Sequence, residues 1–599
     1  MRRHQRRLRS IGLGPWPFVA ALVCLLAAAG CGPRKEAAPP AVEPTTEDPV
    51  AVEQEAPPES EAPTTEETPP PAQEGASDQP EVVTVPMRDG VQLAASVLLP
   101  PGDGPFPVVL SRSVYGRPAG AAGAFLGMGM AVVIQDTRGR GDSEGEDQMF
   151  ATDGWGDLQD GADTLAWLLD QEWCDGKVAT FGPSALSITQ MLMAPATDGL
   201  ACQALWVADS KFYGDLSYQG GVWRKALCET WLTKVGSPHI IDIWKAHPTD
   251  DEFWSFYNAE LQAESVTAPA VHVGGWWDIF QQGTIANFAT RQNRGGEGAK
   301  GNQQLIMGPW LHGPKQEPGD LKLPENYLYD FIGHTTRFLR YWLLDDENGI
   351  MDEPPVRYYC LGDVEDPDAP GNEWRTAETW PPFPTVETPC YLAPGGTLST
   401  GSPLDEDSEF TYSFDPADPC PTKGGPNLTI EAGPFDQRAI GERADVLKFA
   451  TDVIAEPLEI TGPVKVRLFV SSDAPDTDFT AKLIDVYPDG REILMLDGIQ
   501  RVKFRNGFKE ADPLLTGEIG ELEIDLWSIS LVFNEGHRIG LHVSSSNHPR
   551  FEVNPNSGDD FPTEDNLRVA VNTIHVGPAC PSALILPVRG EDEGEEPAT

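Results

Sequence analysis

The sequence predicts two folded parts in series: an α/β part built on a mostly parallel sheet, then an all-β part. Residues 106–111 and 130–135 are apolar up to their last residues, Ser111 and Gln135, as expected of strands covered on both faces. Helical stretches such as 161–169 alternate with them, and that alternation implies parallel strands. After Asp345 short alternating runs (464–470, 480–486, 537–543) are separated by Pro, Gly, Asp and Asn turns. That texture is a sandwich, of jelly-roll type.

The ends of the chain lie outside this fold. Arg2, Arg3, Arg6, Arg7 and Arg9 precede the apolar run 18–27, and Ala28-Ala-Gly-Cys31 closes it. Small residues before a cysteine fit a bacterial lipoprotein signal peptide (1–30) that leaves Cys31 as a lipidated N-terminus. An ordinary secretory signal or an uncleaved anchor is the alternative, and on each reading the body is exported. Residues 31–80 are rich in proline and acid and hold no aromatic side chain, so they form an extended, disordered tether. The stretch 591–599 is a second acidic run. The net charge of −49 argues against nucleic acid as a partner.

Within the body, residues 82–99 read as a hairpin turned at Asp89-Gly90. The strands 106–111 and 130–135, the helix 161–169 and the strand 177–182 follow. Ser184 comes next, in Thr180-Phe-Gly-Pro-Ser-Ala-Leu-Ser187, before a helical run at 187–193. A strand turned sharply into a helix lifts such a serine onto an exposed elbow, and the helix end offers N–H groups to a developing oxyanion. The second glycine of G-x-S-x-G is missing, since Leu186 stands there. Residues 206–265 change character: Trp206, Trp223, Trp231, Trp244 and Trp254 sit among charges at loosely helical spacing, which reads as an inserted helical cap with an aromatic core. Strand character returns at 270–274 and 304–308, and the helix 335–344 closes the first part.

Asp278 falls just past the strand at 270–274 and His312 just past the strand at 304–308. The order Ser184…Asp278…His312, each residue after its own strand, is that of an α/β-hydrolase. The chemistry needs all three, because serine is a poor nucleophile until an imidazole takes its proton and a carboxylate fixes the imidazole tautomer. His272 lies inside a strand and reads as a core residue; no other histidine follows a strand in this order. The organisation is thus an α/β-hydrolase domain (81–205 and 266–347) with an inserted helical cap (206–265), then a C-terminal all-β jelly-roll domain (348–590). No metal or cofactor is expected.

Seven cysteines remain after Cys31: Cys174, Cys202, Cys228, Cys360, Cys390, Cys420 and Cys580. Disulfides Cys390–Cys420 and Cys202–Cys228 are expected outside the cytoplasm, with buried free thiols as the alternative.

Several stretches together resemble the CocE/NonD hydrolases, the group with cocaine esterase, α-amino acid ester hydrolases and X-Pro dipeptidyl-peptidases. They are Val85-Pro-Met-Arg-Asp-Gly-Val-Gln-Leu93, Ile134-Gln-Asp-Thr-Arg-Gly-Arg-Gly-Asp-Ser-Glu-Gly145, the run from Trp173 to Ser184, Gly275-Trp-Trp-Asp278 and Gly308-Pro-Trp-Leu-His312. In the β domain, residues 470–480 and 543–547 join in. The resemblance implies Ser184 as nucleophile, Asp278 as triad acid and His312 as base. It also implies Tyr115 and the Ala185 amide as the oxyanion hole, and Asp136 with Arg138 as a buried bracing pair. The chain departs from the family elbow at Ala185, where an aromatic is usual, and at Ser187, where glycine is.

The expected activity is cleavage of an ester or amide acyl bond in a small molecule or short peptide. One alternative is an X-Pro dipeptidyl-peptidase, whose substrate amino terminus would need an acid such as Asp209, Asp215 or Glu229. The other is a non-catalytic surface lipoprotein that binds glycan or protein.

Overall fold

The computed structural model describes residues 80–120, 122–401 and 406–590. The leader, Cys31, the tether up to position 79 and the acidic tail from 591 lie outside the described residues.

Strands β1 (Glu81–Pro86) and β2 (Gln92–Leu98) form the expected hairpin. The chain then lays down β3 (Phe106–Ser113), α1 (Ala122–Gly127), β4 (Ala131–Asp136), α2 (Asp160–Leu169), β5 (Cys174–Pro183), α3 (Ala185–Met193) and β6 (Leu200–Trp206). An excursion follows: a π-helical turn (Phe212–Ser217), the small hairpin β7 (Tyr218–Gln219) and β8 (Val222–Trp223), and helices α4 (Lys225–Lys234) and α5 (His239–Lys245). The chain returns through β9 (Ala270–Gly275), α6 (Gln281–Arg294), β10 (Gln303–Gly308) and α7 (Phe331–Leu344). Two strands beyond it, β11 (Val356–Cys360) and β12 (Glu373–Ala377), join the same sheet.

The strand order is β1-β2-β4-β3-β5-β6-β9-β10-β11-β12. All neighbours from β4 to β11 are parallel. From β4 and from Val178 of β5 onward every residue is buried, as are all of β9 and β10, which is why these segments read as continuous apolar runs. Parallel pairing also brings the C-terminal ends of β3, β5, β9 and β10 to one edge, where loops can gather chemistry. The excursion occupies the stretch where a cap was expected, except that Trp206 closes β6 and pairs with β9. Phe212, Tyr213, Tyr218, Trp223, Trp244, Trp254 and Tyr257 are buried against one another there.

The second sheet holds β13 (Thr385–Ala393), β14 (Thr397–Ser399), β15 (Ser408–Phe414), β16 (Leu447–Ala450), β17 (Leu458–Ser472) and β18 (Asp478–Val486). It continues with β19 (Glu492–Arg501), β20 (Gly520–Phe533), β21 (Arg538–Ser544), β22 (Ala570–Val576) and β23 (Ala583–Arg589). Its β20 shows how the two parts meet. The strand alternates buried and exposed residues over its first half, then is buried throughout. The buried half passes beneath the hydrolase domain, where the Ser528 carbonyl accepts from Gln281 and Leu531 bridges Leu361.

Two expectations are corrected. All seven cysteines are free thiols. Cys202 lies inside β6 and Cys228 on α4, in different layers, and both are fully buried. Cys390 sits in the core of the β domain, and Cys420 is likewise buried without a partner. They pack as small apolar groups. Nor do Asp136 and Arg138 pair with each other. The turn after β4 sends them apart: Asp136 receives Arg117 and the Asp142 N–H (3.0 Å). Arg138 forks onto Asp160 (2.7 and 3.0 Å) in the first turn of α2 and reaches Asp89 at 2.7 Å. Both still brace the segment beside the site, through separate partners.

Candidate active site

Ser184 sits between β5 and α3 with φ 58° and ψ −126°, a conformation that a non-glycine residue holds only where its surroundings enforce it. Three backbone hydrogen bonds do so. Its N–H donates to the Trp206 carbonyl (2.8 Å), and its carbonyl accepts from Ser187 (2.7 Å) and Ile188 (3.0 Å). Gly182 has φ +145°, and a Cβ there would lie 2.6 Å from the Leu186 Cβ. The bulk at the missing second glycine is accommodated because the first position is bare. Ser187 is fully buried; its hydroxyl donates to the Gly182 carbonyl and accepts from the Trp206 N–H at 2.8 Å. It stitches the elbow to β6 from below.

Asp278 follows β9 in a turn closed by its N–H to the Gly275 carbonyl (3.1 Å). The tryptophans before it are anchors. Trp276 donates to the Tyr359 carbonyl at 2.7 Å and Trp277 to the Met495 carbonyl at 3.1 Å, so the loop is pinned to both parts of the molecule. The loop after β10 is tied to it through Trp276 N–H to Gly308 (2.9 Å) and Trp277 N–H to Trp310 (3.0 Å). His312 projects from that loop. Its Nδ1 lies 2.7 Å from Asp278 Oδ1 and its Nε2 lies 2.9 Å from Ser184 Oγ. Asp278 has no exposed surface, so its charge faces the imidazole in a poorly screened interior.

Other histidines are occupied elsewhere. His272 is buried in β9 against Gln303 Oε1 at 3.0 Å, and burial lowers it to about 3. His334 meets Gln304 and the Tyr329 hydroxyl, and burial lowers it to about 4.

Tyr115 stands two residues past β3. The residue keeps 38% exposure, while its hydroxyl turns inward, accepts from Trp231 Nε1 (3.1 Å) and feels the Ser184 hydroxyl as a neighbour. Burial pushes the phenol up to about 12, so it stays a proton donor at any working pH. The Ala185 N–H belongs to the first residue of α3, where a helix offers no intrahelical acceptor.

A narrow cleft opens against Ser184, lined by Ala185, Ile188, Leu216, Leu227, Cys228, Trp231, Ile279, Phe280 and Leu428. Phe280 also stands edge-on to the His312 ring, 5.7 Å between centroids. Of these lining residues only Ala185 was singled out as a site residue from sequence, for its amide. Phe280 was within reach, two positions after Asp278. Trp231 was read as cap core, and Leu428, in a loop of the β domain, carried no signal.

Family models match in two places. Residues 89–239 and 232–314 match the X-Pro dipeptidyl-peptidase (S15 family) model, and 348–585 match the C-terminal non-catalytic domain of X-Pro dipeptidyl-peptidase. The cocaine esterase of Rhodococcus sp. (strain MB1 Bresler) is 35% identical over 84% of this chain and 98% of its own. The chain belongs to the CocE/NonD hydrolases. Among solved structures, an aminopeptidase from a marine sediment Thaumarchaeota archaeon has a TM-score of 0.73 at 25% identity, covering 86% of this chain and 96% of its own. An α-amino acid ester hydrolase gives 0.73 at 24% identity, over 87% and 98%, and shows the shared fold. This CocE/NonD member is accordingly a serine hydrolase acting on ester or amide bonds, and the reading as a non-catalytic binder falls away.

Proposed function

We propose that this hydrolase is an esterase that uses Ser184, His312 and Asp278 as its triad and prefers esters with an apolar acyl group. The observation that carries the reading is His312 bridging Asp278 at 2.7 Å and Ser184 at 2.9 Å beside an apolar cleft. His312 Nε2 takes the Ser184 proton as Oγ attacks the ester carbonyl. The oxyanion that forms is met by the Tyr115 hydroxyl and the Ala185 N–H. His312 then passes the proton to the departing alkoxide, leaving an acyl-enzyme on Ser184. Water, deprotonated by His312, repeats the sequence and releases the acid.

The choice of ester over X-Pro peptide rests on charge. Recognition of a substrate ammonium needs an acid at the cleft, and no carboxylate lines it. Glu229 is engaged by Lys225 (3.0 Å) and Lys245 (2.6 Å), Asp209 is sealed at 1% exposure, and Asp215 lines a separate polar cavity against the β domain. The name of the 35% identical relative, cocaine esterase, points the same way. A panel of p-nitrophenyl esters, amino-acid esters and X-Pro anilides tests this. An ester with an apolar acyl group should give the highest kcat/KM, and preferential cleavage of X-Pro anilides would reject the reading. A fluorophosphonate probe should label the wild type and not Ser184→Ala.

Tyr115→Phe should lower kcat by on the order of 10²–10³, about 2.7–4 kcal/mol, with KM nearly unchanged, because the hydroxyl meets the oxygen only as charge develops. A well-folded variant with normal kcat would leave the hole to backbone amides alone.

We further infer that the enzyme is exported and held at a membrane by lipid on Cys31, from the Ala28-Ala-Gly-Cys31 boundary and the long acidic tether after it. Cys31→Ala is expected to accumulate as precursor or to leave the membrane fraction. Normal maturation and membrane fractionation of that variant would reject the anchor.

A further inference from the structure

Trp231 is only half-buried on α4, and its indole faces Tyr115. Its ring lies parallel to Phe150, 3° between planes and 6.0 Å between centroids. Phe150 is itself held at φ 67°, next to Met149 at φ 35°. Two adjacent non-glycine residues in the left-handed region are strained, and such strain persists where function over-determines the backbone. The loop that carries them is fastened by Asp147, which receives Arg140 (3.1 Å), Ser237 and the Met149 N–H (3.1 Å).

An indole N–H only donates. The Tyr115 oxygen therefore uses a lone pair on Trp231, and its own proton is left free to be aimed toward the neighbouring Ser184. At Ser184 the direction is fixed from the far side: with its Nδ1–H on Asp278, His312 accepts the serine proton at Nε2. Ser184 Oγ is left as an acceptor for the tyrosine. The two observed links, Trp231 to Tyr115 and Ser184 to His312, thus set their protons in one direction, which leaves the tyrosine proton facing the serine end.

We propose that Trp231 is a positioning residue, stacked on the strained Phe150, that holds the Tyr115 hydroxyl with its proton aimed at the place where the oxyanion forms. The inference rests on the reading of Ser184 as nucleophile and Tyr115 as oxyanion donor. Without the indole, the phenol is free to turn its proton to solvent, and the hole must be assembled anew in each turnover.

The test is a double-mutant cycle with Trp231→Phe and Tyr115→Phe, read with p-nitrophenyl acetate and p-nitrophenyl benzoate. Phenylalanine keeps a ring against Phe150 and removes only the N–H donor and one ring's bulk. Trp231→Phe should lower kcat about tenfold on both esters, with KM for the acetate ester unchanged, since the acetyl group does not fill the cleft. In the Tyr115→Phe background the same substitution should change kcat by less than about twofold, because the group it serves is gone. Trp231→His, which returns a ring N–H, should recover part of the loss; the melting temperature of each variant shows that it is folded. An equal loss in both backgrounds, or an effect confined to KM for the benzoate ester, overturns the proposal and makes Trp231 only a wall of the cleft. Should Tyr115→Phe alone leave kcat intact, the proposal fails through its premise, and that single variant tells the two failures apart.

Discussion

Ser184→Ala and His312→Ala are each expected to lower kcat by on the order of 10⁴-fold or more, and the double variant should lose little beyond either single one. The reason is that the two act as one unit. Ser184 Oγ and His312 Nε2 are 2.9 Å apart; without the imidazole the hydroxyl keeps its proton, and without the hydroxyl the imidazole has nothing to activate. Substrate binding should survive, since the cleft is apolar and neither side chain is needed to fill it. The residual rate would come from the oxyanion donors acting on water. The elbow should also survive Ser184→Ala, because the bonds that hold it are made by the backbone N–H and carbonyl. The measurement is steady-state kinetics on an aryl ester. If Ser184→Ala retains full activity, the nucleophile lies elsewhere. Ser187 would then be a poor replacement, buried with both its donor and acceptor capacity engaged.

Asp278→Asn should come next in size, about 10⁴-fold in kcat with KM little changed. Asp278 Oδ1 accepts from His312 Nδ1 at 2.7 Å, whereas Oδ2 is buried with no hydrogen-bond partner. An asparagine there must choose which end of its amide to leave unmatched. Burying an unpaired carbonyl is the lesser penalty, so the NH₂ turns toward Nδ1. His312 must then carry its proton on Nε2, the nitrogen that has to accept from Ser184. The fold should tolerate the exchange of near-isosteric groups. Activity within tenfold of wild type would show that the carboxylate does not govern the tautomer.

What the sequence revealed and what it hid divide along one physical line. Ser184, Asp278 and His312 were legible because each ends a strand whose burial on both faces writes a continuous apolar run, and parallel strands bring such ends together. The cap was legible because its aromatics crowd at helical spacing. The cleft was not, because its wall is assembled from α4, the turn after Asp278 and a loop of the β domain, segments tens to hundreds of positions apart with no periodicity in common. The disulfide expectation failed for a related reason. Cysteine spacing carries no record of which layer a strand or helix joins, and Cys202 and Cys228 went to different ones. Asp136 and Arg138 misled because the resemblance marks a shared motif without saying which partner each charge takes, and a turn directs them to separate ones.

Leu428 brings the β domain to the wall of the cleft beside Ser184. A single side chain from the second part of the molecule closes the cleft in which the first part works, and Trp277 locks the Asp278 loop to the Met495 carbonyl across the same boundary. Any loosening of that joint would blur which acyl groups are admitted before it slowed the attack on them. Drift in sequence along the seam, far from the reacting atoms, is therefore a route by which this enzyme could acquire new substrates while its serine, histidine and aspartate stay as they are.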